Sequence, residues 1–460
     1  MDEPAFDDPG PPIPTPVSQV RRALTVAVLL TLVASMVVLA FVSGRGVVST
    51  PPPAPTPATP ATLIANAARL AIVDATGGLS TMDELGGSPV RFGETGTKFS
   101  FPAWSPDGTR IATIAQRPDG SAIDVFTVPA AGTTPGDAAI VYSSGDRPPF
   151  YAYWSPDGRD VSFLTTEIDG LALRLGPADG SAPAAVVRTG TPLYWSWADP
   201  SRLLVHSGGE GLAGFFGEVR PDGVATEPTA IEAGEFRVPA VSADGRFRAF
   251  ATPGKATPQQ IVLETRDRVT SHALDVFGAA AVAFGPGTDE LAFVAAAEPG
   301  SEVALPVGPL RSMDAVSGDV RTLLAGRVIA FFWAPDGKTI AALSAPEPGD
   351  DNVAGVELAT LVSSGSAQAA ATGVKVRLSF VNVESGAIRS HGTFAISDVF
   401  VDQVLPYFDQ YALSHRVWSP DGASIALPVV TDGTEEVTVV QADGSGAHRV
   451  ADGVEGFWSP

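Results

Sequence analysis

Five histidines, a surplus of carboxylates and no cysteine are the raw material for chemistry in this 460-residue chain. Without cysteine there can be no disulfide, thiolate metal site or thiol nucleophile. A metal centre needs clustered ligands, but His206, His272, His391, His415 and His448 lie far apart in the chain, and each reads as a solvated side chain. Asp350-Asp351-Asn352 has calcium-like oxygens without the spaced series of ligands a calcium loop needs, so it reads as a polar loop tip. Gly209-Glu-Gly211-Leu-Ala-Gly214 matches a dinucleotide fingerprint, which requires a helix to start there. The next five residues, Phe215-Phe216-Gly217-Glu218-Val219, have the character of a strand instead. No Gly-x-Ser-x-Gly nucleophile elbow occurs. The sequence therefore assigns no catalytic residue, metal or cofactor.

The candidates that remain are aromatic. Phe150, Tyr151 and Tyr153 run up to Trp154, Tyr194 and Trp195 run up to Trp197, and residues 394–416 contain Tyr407-Phe408-Asp409-Gln410-Tyr411. Aromatic side chains on loops of a rigid scaffold are typical binding anchors. Phe150, Tyr151, Tyr194, Tyr407, Phe408, Asp409 and Tyr411 are therefore the expected binding residues, unless Phe408 and Tyr411 merely pin their loop.

The scaffold is visible as a repeat. Trp-Ser-Pro-Asp-Gly stands at Trp104–Gly108, Trp154–Gly158 and Trp418–Gly422, with Trp333-Ala334-Pro335-Asp336-Gly337 nearly complete. Degenerate copies begin at Trp197, Val241 and Phe284, and the chain ends on Trp458-Ser459-Pro460. Successive anchors are 50, 43, 44, 43, 49, 85 and 40 residues apart, close to the period of a four-stranded blade. The long interval is expected to hold insertions, at residues 345–374 and 394–416, rather than a further blade. In each turn Pro presets φ, Asp tolerates the bridge region and Gly supplies positive φ. A β-rich run comes after the turn: Arg110–Ile114, Asp160–Leu164, Arg202–Val205, Glu290–Val294 and Thr339–Leu343. The anchors Trp104, Trp154, Trp197, Trp333, Trp418 and Trp458 read as fillers between blades.

The fold class is therefore all-β: a β-propeller of about eight blades, with seven as the alternative. Gly453–Trp458 reads as an innermost strand, and the residues after Thr62 as outer strands of the same blade. Both chain ends would then close the ring.

Ahead of the repeat, residues 23–43 contain the uncharged run Ala23 to Val42, which at 1.5 Å per residue spans about the 30 Å hydrocarbon thickness. Arg21 and Arg22 before it, against Arg45 after it, favour a cytoplasmic N-terminus. A cleaved signal peptide would have a shorter apolar core and small residues at the cut. The domain plan is thus a short cytoplasmic tail (1–22), a membrane helix (23–43), a Pro-rich stalk (44–61) and an extracytoplasmic propeller (62–460). The formal net charge of −22 excludes nucleic acid as a partner, since phosphate binding needs clustered Lys and Arg.

The Trp-Ser-Pro-Asp-Gly repeat resembles that of TolB-like, WD-repeat-like propellers over residues 62–460. Propellers of prolyl oligopeptidases and dipeptidyl peptidases have similar turns. The resemblance implies the fold and is nearly silent about function. This chain has no room for TolB's N-terminal α/β domain and adds a membrane segment, so the Tol-system partners do not transfer. The expected function is a non-enzymatic binding or scaffolding module for a protein, peptide or glycan at the plasma membrane. The alternatives are a hydrolase or lyase at the channel mouth, or an accessory subunit of a transporter or envelope complex.

Overall fold

The computed structural model describes residues 68–460 except 130–133, 169, 209–213, 227–233, 235–236, 255–258, 301–304 and 347–373. The expected tail, membrane helix and stalk lie outside the described residues, as do the Asp350 loop tip and most of the Gly-rich run after residue 208. Among the described residues, no helix is long and apolar enough to cross a membrane.

The described chain is built almost wholly of antiparallel strands. β1 (Leu70–Val73), β2 (Leu79–Met82) and β3 (Val90–Arg91) form the first set. β4 (Lys98–Trp104), β5 (Arg110–Arg117), β6 (Gly120–Thr127) and β7 (Ala139–Ser144) form the second. The third is β8 (Pro149–Trp154), β9 (Asp160–Glu167), β10 (Gly170–Pro177) and β11 (Ala185–Gly190). The fourth contains β12 (Leu193–Asp199), β13 (Arg202–Ser207) and β14 (Phe215–Val219).

From β15 (Ala240–Val241) onward the pairing is continuous. β16 (Phe247–Pro253) and β17 (Gln259–Thr265) lead to β18 (Ser271–Phe284), which pairs with β17 over its first half and with β19 (Glu290–Ala296) over its second. β20 (Gly308–Asp314) leads to β21 (Val320–Trp333), which likewise ends by pairing with β22 (Thr339–Ser344). Each long strand thus closes one set as its outer strand and opens the next as its inner strand. Both bend at a glycine in the left-handed region, Gly278 at φ 64° and Gly326 at φ 92°, where a side chain would be strained.

β22 pairs directly with β23 (Val374–Asn382), so the long interval is an insertion between neighbouring strands. Next in the chain come β24 (Ile388–Ile396), β25 (Ser424–Thr431), β26 (Thr434–Gln441) and β27 (Ala447–Asp452). The last strand, β28 (Glu455–Trp458), pairs with β1 in the register Leu70↔Trp458 and completes the first set.

The turns obey the expected chemistry. In the second set Ser105 Oγ donates to Asp107 Oδ1, which accepts the Thr109 N–H, while the Gly108 N–H reaches the Ser105 carbonyl. Gly108 sits at φ 69°, and Gly158, Gly245 and Gly422 repeat the conformation. The same Ser–Asp bond recurs at Ser155–Asp157, Ser242–Asp244 and Ser419–Asp421.

The anchor tryptophans explain why an indole stands at the end of an inner strand. Trp104 Nε1 donates to the Phe457 carbonyl, and Trp154 Nε1 to that of Ala103. Trp333 Nε1 donates to Ala283 and Trp418 Nε1 to Phe332. In every case the acceptor is the residue just before the anchor position of the preceding set. A phenyl ring would fill the same gap but leave that carbonyl without its donor, so packing and hydrogen bonding together select Trp. The rule breaks twice, since Trp197 Nε1 and Trp458 Nε1 have no partner among the described residues. At the Trp197 junction a relay replaces it: Trp195 Nε1 donates to Ser162 Oγ, which donates to the Tyr153 carbonyl.

Candidate functional site

All of the expected binding residues except Phe150 meet at one place, but not on an exposed loop. The segment Ser397–Arg416 leaves β24 and returns to the inner position of the last set. It forms a π-helical turn, Phe400–Val404, a 3-10 turn, Leu405–Tyr407, and a short helix, Phe408–Tyr411. Phe400, Val401, Val404, Leu405, Phe408 and Tyr411 are all buried. Their spacing has the three-and-four pattern of an amphipathic helix, interrupted by Pro406, and this was the signal that a loop reading of the segment missed.

What the segment touches fixes where it lies. Ser397 Oγ donates to the Val454 carbonyl beside the first set, and His415 Nε2 lies 3.1 Å from the Phe101 carbonyl of the second. The Tyr151 hydroxyl of the third set donates to the Gln410 carbonyl at 2.6 Å. Gln410 Nε2 reaches the Trp195 carbonyl of the fourth, and the Val238 N–H beside the fifth reaches Asp409 Oδ2 at 3.4 Å. Phe408 packs on Phe331 and Phe332, at 5.4 and 6.0 Å between ring centroids. A single short segment can meet six sets only from the centre that they surround. It is an axial plug.

Phe408 is 1 % exposed, Asp409 4 %, Tyr411 7 % and Tyr151 3 %. The expectation of exposed anchors is corrected for these four, three aromatic rings and one carboxylate, because each finds apolar or hydrogen-bonding partners across the axis; Phe408 and Tyr411 take the alternative role of pinning their segment. Tyr194 and Tyr407 are half-buried, and the Arg237 guanidinium lies 5.8 and 4.8 Å from their ring centroids. Phe150 stays apart from this cluster, half-buried on β8. The solvated reading of the histidines is corrected for His206 and His415, both buried.

Two inner-strand residues at the plug have backbones in the left-handed region, Phe101 and Tyr151, each at φ 51°. A non-glycine residue there costs about 1–3 kcal/mol and persists only where its surroundings hold it. Phe101 is held from both sides: its N–H donates to Glu455 Oε2 at 2.6 Å, and its carbonyl accepts from His415. A carbonyl can only accept, so His415 Nε2 carries the proton and Nδ1 accepts from Ser414 Oγ at 2.6 Å. Burial holds His415 neutral, down to about 4, and pushes the Glu455 carboxyl up to about 8. Burial likewise raises Tyr151, Tyr411 and Asp409, the last opposed by the charge of Arg237.

The Ser414–His415 pair has the distance of a nucleophile and its base, yet the imidazole is buried and its second nitrogen is spent on a backbone carbonyl. Its hydrogen bonds tie the plug to the second set. Sequence reading missed Phe101, Arg237, Gln410, His415 and Glu455. Phe101 was within reach, because it precedes Trp104 by the same three positions that separate Tyr151 from Trp154. At the start of the plug, Asp398, Asp402 and Glu435 are raised by burial first, and Asp398 further raises the other two. Among the described residues no group of His, Asp or Glu is arranged to hold a metal ion.

The strand pairing defines the class of protein: a β-propeller, whose last strand closes the first set. No family model matches the chain, and no curated protein matches it. Solved structures similar to it include TolB from Acinetobacter baumannii, at 13 % identity over 81 % of this chain and 68 % of that one, with a TM-score of 0.38. Another is apo AztD from Citrobacter koseri, at 12 % identity over 85 % and 96 %, TM-score 0.48. A third is the dihydro-heme d1 dehydrogenase NirN, at 14 % identity over 84 % and 73 %, TM-score 0.49. At these values they carry nothing about function.

Proposed function

We propose that the chain is a membrane-tethered, non-enzymatic recognition module, with a propeller of eight blades on the extracytoplasmic side presented to a protein, peptide or glycan. The observation that supports recognition over catalysis is the filled axis. The aromatic and titratable groups that converge there are buried and bonded to one another, which leaves the turn faces and blade grooves for partners. Displacing the plug would re-expose six buried apolar side chains, at about 1.5–3 kcal/mol each, more than ordinary ligand binding supplies. Eight blades are supported by the β1–β28 closure and by the seven further sets that end on the anchors from Trp104 to Trp418. The tether rests on the uncharged run Ala23 to Val42 and the Arg21/Arg22 bias. Protease added to intact cells should remove the propeller and leave a short anchored fragment. A fully protected propeller overturns the topology.

A hydrolase or lyase is the second reading, and Asp398, Asp402 and Glu435 are what favour it, since they lie together and burial favours the protonated form of each, the form a general acid needs. Asp402→Asn should abolish turnover of a screened glycan or ester substrate if that reading holds. No turnover by the unaltered chain sinks it.

A further inference from the structure

We propose that the groove between the fourth and fifth sets, on the face of the Pro-Asp-Gly turns, binds an oxyanion group, a carboxylate or phosphate carried by a partner. Three guanidinium groups converge there: Arg202 at the start of β13, Arg248 on β16 and Arg266 just after β17. They line a cleft with room for about one water-sized group, about 10 Å³. One carboxylate, Glu218, lines it with them, while Asp199 and Glu264 pair with Arg202 and Arg248 from behind the wall, so the charges balance and what marks the cleft is a donor left over rather than a net charge.

The pairing around the cleft is incomplete at its deepest member. Arg248 is 3 % exposed, and its Nε and Nη2 both donate to Glu264 Oε1, at 2.8 and 2.6 Å. Its Nη1 is buried and has no partner among the described residues. A buried guanidinium N–H without an acceptor is costly; an anion oxygen seated in the cleft would supply one. Arg202 gives Nη1 to Glu218 Oε2 at 2.9 Å and its other nitrogens to Asp199. Arg266 shares the same Glu218 oxygen at a longer 3.3 Å, and its side chain is 48 % exposed. Arg266 is thus free to turn toward an incoming group while Arg248 waits beneath it.

The chain's net charge of −22 does not forbid this. Charges farther away than about 10 Å are screened at 0.1 M salt, so the balanced charges and the unpartnered Arg248 Nη1 at the cleft decide. The planar fork of arginine suits carboxylate and phosphate oxygens alike. A cleft that admits one oxygen selects the end of an acidic group rather than a whole small molecule. The site is independent of membrane tethering and of the filled axis.

The test is calorimetric titration of the full-length chain, in detergent and at matched ionic strength, with inorganic phosphate and separately with acetate. Saturable binding of either is expected, and which of the two binds distinguishes a phosphate from a carboxylate source. Arg266→Gln should weaken it by about tenfold or more. Arg248→Lys keeps the charge opposite Glu264 but loses the second fork nitrogen, and should weaken binding with little change in melting temperature. Arg159→Gln, on an exposed turn of the third set, should change nothing. Absence of saturable binding to both anions, or equal binding by Arg266→Gln, overturns the proposal.

Discussion

The Pro-Asp-Gly turns and the axial plug solve opposite problems. Each turn satisfies itself within a few residues: Ser419 Oγ to Asp421, and Asp421 to the Ala423 N–H. Its stability is local and its sequence repeats. Nothing in the plug repeats, and almost none of its partners are local; Tyr151 and Gln410 are 259 positions apart. Sequence identity from blade to blade therefore marks parts that stabilise themselves. The parts that hold the blades to a common centre carry no such mark.

The sharpest way to break this contrast is to empty the plug. Phe408→Ala removes a ring that is 1 % exposed and is expected to cost about 3–5 kcal/mol. The triple change Tyr407, Phe408 and Tyr411 to Ala is expected to abolish cooperative unfolding. A triple variant with an unchanged melting curve would show that the segment is peripheral.

Next in size is a pH effect confined to the axis. Glu455 takes up a proton on folding, since its carboxyl is pushed from 4.5 to about 8. It thus withholds stability as pH rises through that window, by on the order of a few kcal/mol at 1.36 per unit. Glu455→Gln can keep an acceptor for the Phe101 N–H and should flatten the dependence, melting higher than the unaltered chain at pH 8. An unaltered slope between pH 5 and pH 8 would place the titration elsewhere.

The indole bonds sharpen the comparison at blade junctions. Trp104→Phe, Trp154→Phe and Trp418→Phe each leave a backbone carbonyl without its donor. They should cost about 1–3 kcal/mol more than Trp197→Phe or Trp458→Phe, where no such bond exists. Equal losses, measured by urea denaturation, would mean that the bonds contribute nothing beyond packing.

The smallest expected effect is at a turn. The Ser419 hydroxyl and the Ala423 N–H hold Asp421 below its usual range. Its contribution is present at neutral pH and is lost as pH falls below about 4. Asp421→Ala should cost about 1 kcal/mol at pH 7 and less at pH 3. A loss of plug size would mean that the turn is part of the core.

These differences also explain what could be read from the residues alone. The strands after Asp107, Asp157, Asp336 and the Trp197 and Phe284 positions were legible because turn chemistry and a period near 45 residues announce them. Closure was legible because Gly453–Trp458 has the form of an inner strand that lacks its partners. The plug was not. Its Tyr and Phe residues look the same in a sequence whether they face solvent or the axis, and Arg237, which lies beside Asp409, belongs to no copy of the repeat. His415 and Glu455 escaped for the same reason: burial, not residue type, sets their protonation, and that burial comes from several sets at once.

The pairing of β28 with β1 has a consequence in time. The Arg69 N–H and Ser459 Oγ that meet at this seam are 390 positions apart, and contacts of such separation form slowly. A ribosome delivers β28 after every other described strand, so until then Trp104 lacks the Phe457 carbonyl and the first set lacks its innermost strand. The apolar faces flanking the seam stay open until β28 has emerged, and an open strand edge invites pairing with another chain. Completion of the seam therefore governs when the nascent protein stops being a target for chaperones and for its own copies.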